Sequence, residues 1–302
     1  MSDPPARAPA PASPVRLTSA THGRSLWQLS LQRLLRNRGA VTGSIVLLIL
    51  VAAALFAPWI TRHDPIALAP RDRLQPPSAE HWFGTDAFGR DVFTRVVYGG
   101  RVSLMVGVIA VAISVLLGVT LGLLAGYFGG TFDDIAMRLV DVLMAFPGLL
   151  LALAVVAILG PNLINAMIAV GISAAPTYAR VTRGAVLQTK ELAFVEAARQ
   201  SGARAWRIML VHVFPNVLGA IVVVATLGVA NAIIAGAALS FLGLGAGPPT
   251  PEWGLMLSDG RAYLRHAWWI TTFPGAAIMI TVLTINLMGD GLRDALDPRM
   301  SR

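Results

Sequence analysis

The chain has 302 residues, of which 55% are hydrophobic and only 13% charged. Soluble globular domains carry about 25% charged residues, so this deficit, with a mean hydropathy of +0.67, indicates an integral membrane protein. The net charge of +8 fits arginines on the cytoplasmic side of a membrane rather than a nucleic-acid surface, and the lack of cysteine excludes disulfides, iron–sulfur clusters and thiolate zinc sites.

Residues 1–24 are rich in Pro, Ala and Ser and are expected to form a disordered tail. The first long apolar run begins only near Ala40, so a cleaved signal peptide is not expected. Between Ser25 and Arg38, Trp27, Leu31, Leu34 and Leu35 share one helical face, with Arg33, Arg36 and Arg38 nearby. This pattern predicts an amphipathic helix on the inner membrane surface. Six stretches then meet the need for about 20 mostly apolar residues per span. They are Ala40–Ile60, Val102–Gly126, Met137–Gly160, Leu163–Ala179, Val217–Leu239 and Trp269–Met288. The fourth is short, holds Gly171 and Pro176, and is expected to continue as helix into the cytoplasm. The division into residues 1–24, 25–100 and 101–302 separates the tail, the first span with its external segment, and a core of five spans.

Arginines set the orientation. Arg33, Arg36 and Arg38 precede the first span, so the N-terminus is expected inside. Six spans return the C-terminus, with Arg293, Arg299 and Arg302, to the same side. The segment after span four is also expected inside, with Arg180, Arg183, Lys190, Arg199, Arg204 and Arg207. Thr61–Arg101 resists the rule, because it is placed outside yet holds Arg62, Arg71, Arg73, Arg90, Arg95 and Arg101. Interleaved acids, among them Asp64, Asp72, Glu80, Asp86 and Asp91, offset much of that charge.

The spans hold almost no ionisable group; Asp134, Arg138 and Asp141 sit at the entrance of span three. Ion-coupled carriers normally need buried acids or histidines, so a gradient-driven transporter or channel is the disfavoured alternative. The polar groups available to a pathway are neutral: Asn165, Ser173, Thr177, Asn231, Ser240, Thr281, Thr284 and Asn286, with Asn231, Ser240 and Asn286 the favoured path candidates. Their other reading is that they satisfy one another or the backbone. Gly118, Gly122 and Gly126 line one helix face, and Gly228, Ala232 and Gly236 another. Such stripes either pack within the subunit or slide against a partner. Between spans four and five, Leu192–Gln200 and Arg204–Val213 are each expected to be helical. Gly202 allows a positive-φ helix end between them, and Pro215 marks re-entry into the membrane. Two short helices meeting at a glycine form a stiff elbow, able to transmit a push. A phosphate-binding P-loop needs a lysine directly after its glycine. The only lysine, Lys190, has no glycine-rich run before it, so energy must come from another chain.

Glu196-Ala197-Ala198, then Gly202 and Phe214-Pro215, resembles the EAA loop of bacterial ABC importer permeases. Gly84-Thr85-Asp86-Ala87-Phe88-Gly89-Arg90-Asp91 resembles the GTDxxGRD segment of the dipeptide/oligopeptide/nickel permeases, C-type subunit. Ala238–Gly245 with Pro251-Glu252-Trp253-Gly254, and Asn286–Asp294 through Asp297-Pro298-Arg299, are similar to other signatures of that family. His212 to Asn216 matches its His-apolar-apolar-Pro-Asn form, so His212 is read as part of the loop rather than as a metal ligand. The resemblance covers residue 25 to the end.

This resemblance implies an all-α type I ABC importer permease with six spans in a bacterial inner membrane, both termini cytoplasmic. It implies a homologous permease partner, two ABC ATPase subunits that bind ATP and magnesium, and an extracytoplasmic binding protein. The chain itself then has no catalytic residue, cofactor or metal. Glu196, Ala197, Ala198, Arg199, Gly202, Arg204 and Pro215 would couple to the ATPase. Asp86, Arg90 and Asp91 would either pair internally or contact the binding protein, and Trp253 would belong to an external gate. A membrane scaffold would need no such elbow. The substrate among peptides, glutathione and nickel complexes is not readable.

Overall fold

The computed structural model describes residues 35–296. The expected tail, most of the amphipathic helix, and the Asp297-Pro298-Arg299 end of the last motif lie outside the described residues. All named elements are helical. A single antiparallel bridge, Thr85 to Asp91, is the one strand-like pairing among the described residues.

Helix α1 (Arg38–Leu55) starts at Asn37, whose side chain accepts the Ala40 N–H, and a short α2 (Ala57–Ile60) follows. Helix α3 (Val92–Phe128) has 37 residues, about 55 Å of rise against a hydrocarbon core of about 30 Å. It therefore projects beyond the membrane. Helices α4 (Gly130–Met144) and α5 (Gly148–Leu159) follow, then α6 (Leu163–Thr189) and α7 (Ala193–Gln200). One α-helical turn, α8 (Ala205–Arg207), passes through a π turn (Ile208–Val213) into α9 (Phe214–Phe241). Helices α10 (Trp253–Gly260) and α11 (Trp269–Leu296) complete the described chain.

Among the described residues, four helical rods are long and apolar enough to cross a membrane: α1, α3, the α8–α9 rod and α11. One expected span comes out bent, and another is too polar to count among the apolar crossings. Met137–Gly160 is not one helix; α4 and α5 meet at 96° and count as a fifth span only as a bent pair. Pro147 supplies no N–H, and the residue before a proline is pushed from helical geometry, so the helix breaks there. Leu163–Ala179 continues as helix, as expected: α6 runs unbroken through Pro176 to Thr189. Its polar residues keep it outside the set of apolar spans.

The core lies where α3, α6 and α9 meet. Ala110, Val111, Ala169, Val170 and Ala232 bury there with Val156 of α5. Both small-residue stripes pack inside this subunit. A Cβ on Gly118 would strike the Ala175 carbonyl, one on Gly122 the Ala179 carbonyl, and one on Gly126 would lie 2.9 Å from Val186 Cβ. Gly228 faces the Tyr178 hydroxyl and Gly236 faces Val106. Backbones that close gain dispersion contacts, which drive helix association where lipid competes for apolar surface. Beside this interface, Arg183 grips Asp133 with two bonds of 2.5 and 2.7 Å, and Arg180 pairs with Asp141. These pairs hold α4 against α6.

At the other end of α3, residues 61–91 fold into a compact segment. Asp91 caps α3 by accepting the Thr94 N–H at 2.7 Å. Gly89, at φ +77°, turns where a side chain would run into the Ala69 carbonyl. Asp86 binds Arg90 Nε at 2.6 Å and lies 3.7 Å from Arg95 Nε, while Arg90 reaches Asp259 of α10 at 3.5 Å. Arg95 also donates to the Pro65 and Pro249 carbonyls. Two buried guanidiniums thus meet two carboxylates, which balances the charge.

Three variants test this packing. Gly122→Val should lower stability by about 1–3 kcal/mol through overpacking, seen as a lower unfolding midpoint in detergent. Gly184→Ala, where a Cβ meets open space, should leave the midpoint unchanged or raise it slightly. Asp86→Ala should cost about 3–5 kcal/mol, because Arg90 and Arg95 stay buried without their shared counter-charge.

Candidate functional site

The segment between α6 and α9 forms the expected elbow. Helix α7 ends in a Schellman arrangement: the Gly202 N–H bonds the Arg199 carbonyl and the Ala203 N–H bonds the Ala198 carbonyl. Gly202 stands at φ +77° with open space around it, so conformation rather than crowding requires glycine there. Val195, fully buried, anchors α7 to Val186 of α6 and to Ile208, Met209 and Val213 of the π turn. Val119 and Leu123 of α3 complete this cluster. The elbow is thus bolted to three helices from beneath.

Its opposite face is open. Glu196, Ala197, Arg199, Gly202 and Arg204 are exposed, and Ala198 is half-buried. Glu196 holds Arg199 at 2.9 Å and Gln200 at 3.4 Å. Leu192, Phe194 and Trp206 are exposed beside them. An apolar surface rimmed by charge is the composition of a docking face.

The second arm differs from the expected separate helix. Arg204–Val213 was expected to end before a re-entry at Pro215, but α8, the π turn and α9 form one rod from Ala205 to Phe241. Pro215 cannot donate, and its ring would crowd the carbonyl four residues back. The π turn widens the helix before it, and the Phe214 N–H bonds the Met209 carbonyl, five residues back. The proline is absorbed rather than breaking the rod.

Of the favoured path candidates, Asn231 lines a cavity. That cavity, of about 360 Å³, lies between α3, α5, α6 and α9, with Ser114, Ser173, Thr177 and Tyr178 on its walls. Ser240 is buried away from it, its hydroxyl accepting the Ala246 N–H at 3.2 Å. Asn286 is half-buried on α11 and does not line it. Ser173 and Thr177 were legible as polar residues of a span; Ser114 and Tyr178 carried no signal marking them as wall residues.

The external candidates are all buried. Asp86, Arg90 and Asp91 are each 4% exposed and Trp253 is 3% exposed. Their side chains are turned into the protein. The Trp253 indole donates to the Val96 carbonyl at 2.9 Å and wedges against Gly99 and Gly100 of α3. Glu252, named in a motif but given no role from the sequence, caps α10: its carboxylate accepts the Gly254 and Leu255 N–H groups at 3.0 and 2.8 Å and the Ser103 hydroxyl at 3.2 Å. Burial pushes this carboxyl above its ordinary range, and those donors pull the other way.

Comparison with known proteins agrees with this architecture. The family model "Binding-protein-dependent transport system inner membrane component" matches residues 118–302, and "N-terminal TM domain of oligopeptide transport permease C" matches residues 25–77. The dipeptide transport system permease protein DppC of Escherichia coli strain K12 is 52% identical over 273 residues, covering 88% of this chain and 91% of its own. DppC of Alkalihalophilus pseudofirmus is 48% identical over 276 residues, 91% of each chain. A chain of the inward-facing methionine ABC transporter MetNI aligns with a TM-score of 0.57 at 20% identity, over 68% of this chain and 97% of that one. That likeness shows the fold alone. The chain therefore belongs to the binding-protein-dependent transport system inner membrane components: it is a multi-pass permease subunit of an ABC importer, not an enzyme.

Proposed function

We propose that this permease forms half of a peptide-importing pathway in a bacterial inner membrane, beside a homologous permease. Six membrane crossings put both termini and the elbow in the cytoplasm, with α4 and α5 as one bent crossing and α6 as another. Two ATPase subunits bind ATP and magnesium, and one of them seats the elbow. An extracytoplasmic binding protein delivers the substrate. Di- and oligopeptides are the favoured substrate class, because the DppC relatives are dipeptide permeases.

The observation that carries this reading is mechanical. The exposed face of α7 is joined, through a self-satisfied glycine corner, to a rod that continues without interruption into α9. Asn231 stands on that same helix, in the wall of the 360 Å³ cavity. A push on the elbow therefore acts on a wall of the pathway. The neutral lining formed by Asn231, Ser173 and Thr177 suits a solute that passes without being held tightly.

Reconstitution with the partner permease, ATPases and binding protein tests the function. Peptide uptake should require ATP; uptake that ignored ATP and followed a proton gradient would refute it. Gly202→Val should leave membrane insertion intact but cut ATP-driven uptake by roughly tenfold, the equivalent of about 1–2 kcal/mol of left-handed strain. Gly202→Asn, which tolerates that conformation, should retain most of the uptake.

A further inference from the structure

Three potential metal ligands converge at the end of α3 remote from the elbow. His63 follows α2, His81 lies in the compact segment, and Asp91 caps α3. One ligand atom from each lies within 4.8 Å of the others. His81 Nδ1 and Asp91 Oδ1 are 3.0 Å apart, and the two imidazole rings are 4.9 Å apart, tilted by 33°. Around a tetrahedral zinc ion, with bonds of about 2.0–2.2 Å, neighbouring ligand atoms sit roughly 3.3 Å apart. Small side-chain adjustments separate the present arrangement from that geometry.

The surroundings suit a metal ligand set. The second oxygen of Asp91 accepts the Thr94 N–H at 2.7 Å, which orients the carboxylate. His63 Nε2 lies 3.4 Å from the Glu80 carbonyl; a proton held there leaves Nδ1 as a lone-pair donor. Ligating histidines commonly carry this outer hydrogen bond. A pocket of about 20 Å³ opens beside the cluster, lined by Arg62, His63, Glu80, Asp91 and Thr94 among others, with His81 behind Asp91 rather than in its wall. That is room for one water or ion. Thr94 is fully buried, and its hydroxyl has no hydrogen-bond partner among the described residues. Arg62, the nearby cation, is exposed and lies over the Trp82 ring at 5.9 Å.

The geometry points to a site for a divalent transition-metal ion of the zinc class, held by His63, His81 and Asp91 with a water in the fourth position. Two imidazoles and one carboxylate suit zinc, and calcium or magnesium would want more oxygens. Bound there, the ion ties the exit of α2, the compact segment and the first turn of α3 together. This inference stands apart from the transport reading, since it concerns a cross-link within one chain.

The test uses purified full-length protein without a histidine tag. Equilibrium dialysis against zinc should give one tight equivalent, and cobalt should give the visible absorption of a tetrahedral N/O site. His63→Ala should weaken zinc by about 100-fold or more, beyond the loss usual for an outer-sphere partner. Asp91→Asn, which keeps a capping side chain, should weaken it as well. His266→Ala, away from the cluster, should leave it unchanged. Zinc should raise the unfolding temperature of the parent protein and not of His63→Ala. Absence of zinc binding at micromolar free metal, or equal binding by the parent and both cluster variants, would overturn the site and leave His81–Asp91 a simple hydrogen-bonded pair.

Discussion

The architecture depends on the backbone contact between α3 and α6. Gly118, Gly122 and Gly126 remove the side chains that would hold the two helices apart, and carbonyls of Ala175, Ala179 and Arg183 occupy the space. In lipid, apolar side chains gain little by choosing one another over acyl chains, so close approach supplies the attraction. Once α3 and α6 are joined, other placements follow. Helix α4 is pinned to α6 by Arg183–Asp133, α9 lies across both through Gly228 and Gly236, and α7 is anchored where α3 ends.

The two ends of α3 are organised by different physics. At the elbow end, one cluster of apolar side chains supports an open, charged surface. At the other end, charges are buried and paired, Asp86 and Asp259 against Arg90 and Arg95. A buried ion pair contributes little net stability but is costly to half-remove. It therefore defines one arrangement of the 61–91 segment against α10 rather than adding strength. The arginines that strained the inside–outside assignment are partly explained here: Arg90 and Arg95 are structural ions within the segment. Arg101 likewise donates to the Ala54 and Leu55 carbonyls that end α1.

Local features were legible in the sequence and directional ones were not. Gly202 could be read as a left-handed corner because a helix end and a glycine are local facts. The spans at α1, α3, α9 and α11 could be read because hydropathy sums over a window. The bend between α4 and α5 was missed because such a sum has no direction, although Pro147 marked the spot. The rod through Pro215 was missed because a proline signals a break and the π turn that accommodates it has no compositional signature. Arg90–Asp259 spans 169 positions, and Trp253 fits a slot formed by Gly99 and Gly100. Pairings at that separation exist only once the helices are packed.

The uninterrupted rod from Ala205 to Phe241 sets a scale for motion. Its 37 residues amount to about 55 Å of helix. A rigid tilt of only about 10° about one end would sweep the other by roughly 10 Å over that length. A jointed helix would lose part of this gearing at the joint. By widening one turn at Ile208–Val213 instead of breaking at Pro215, the chain keeps a long moment arm, so on the proposed coupling role an ångström-scale displacement near the elbow would become a change in bore further along.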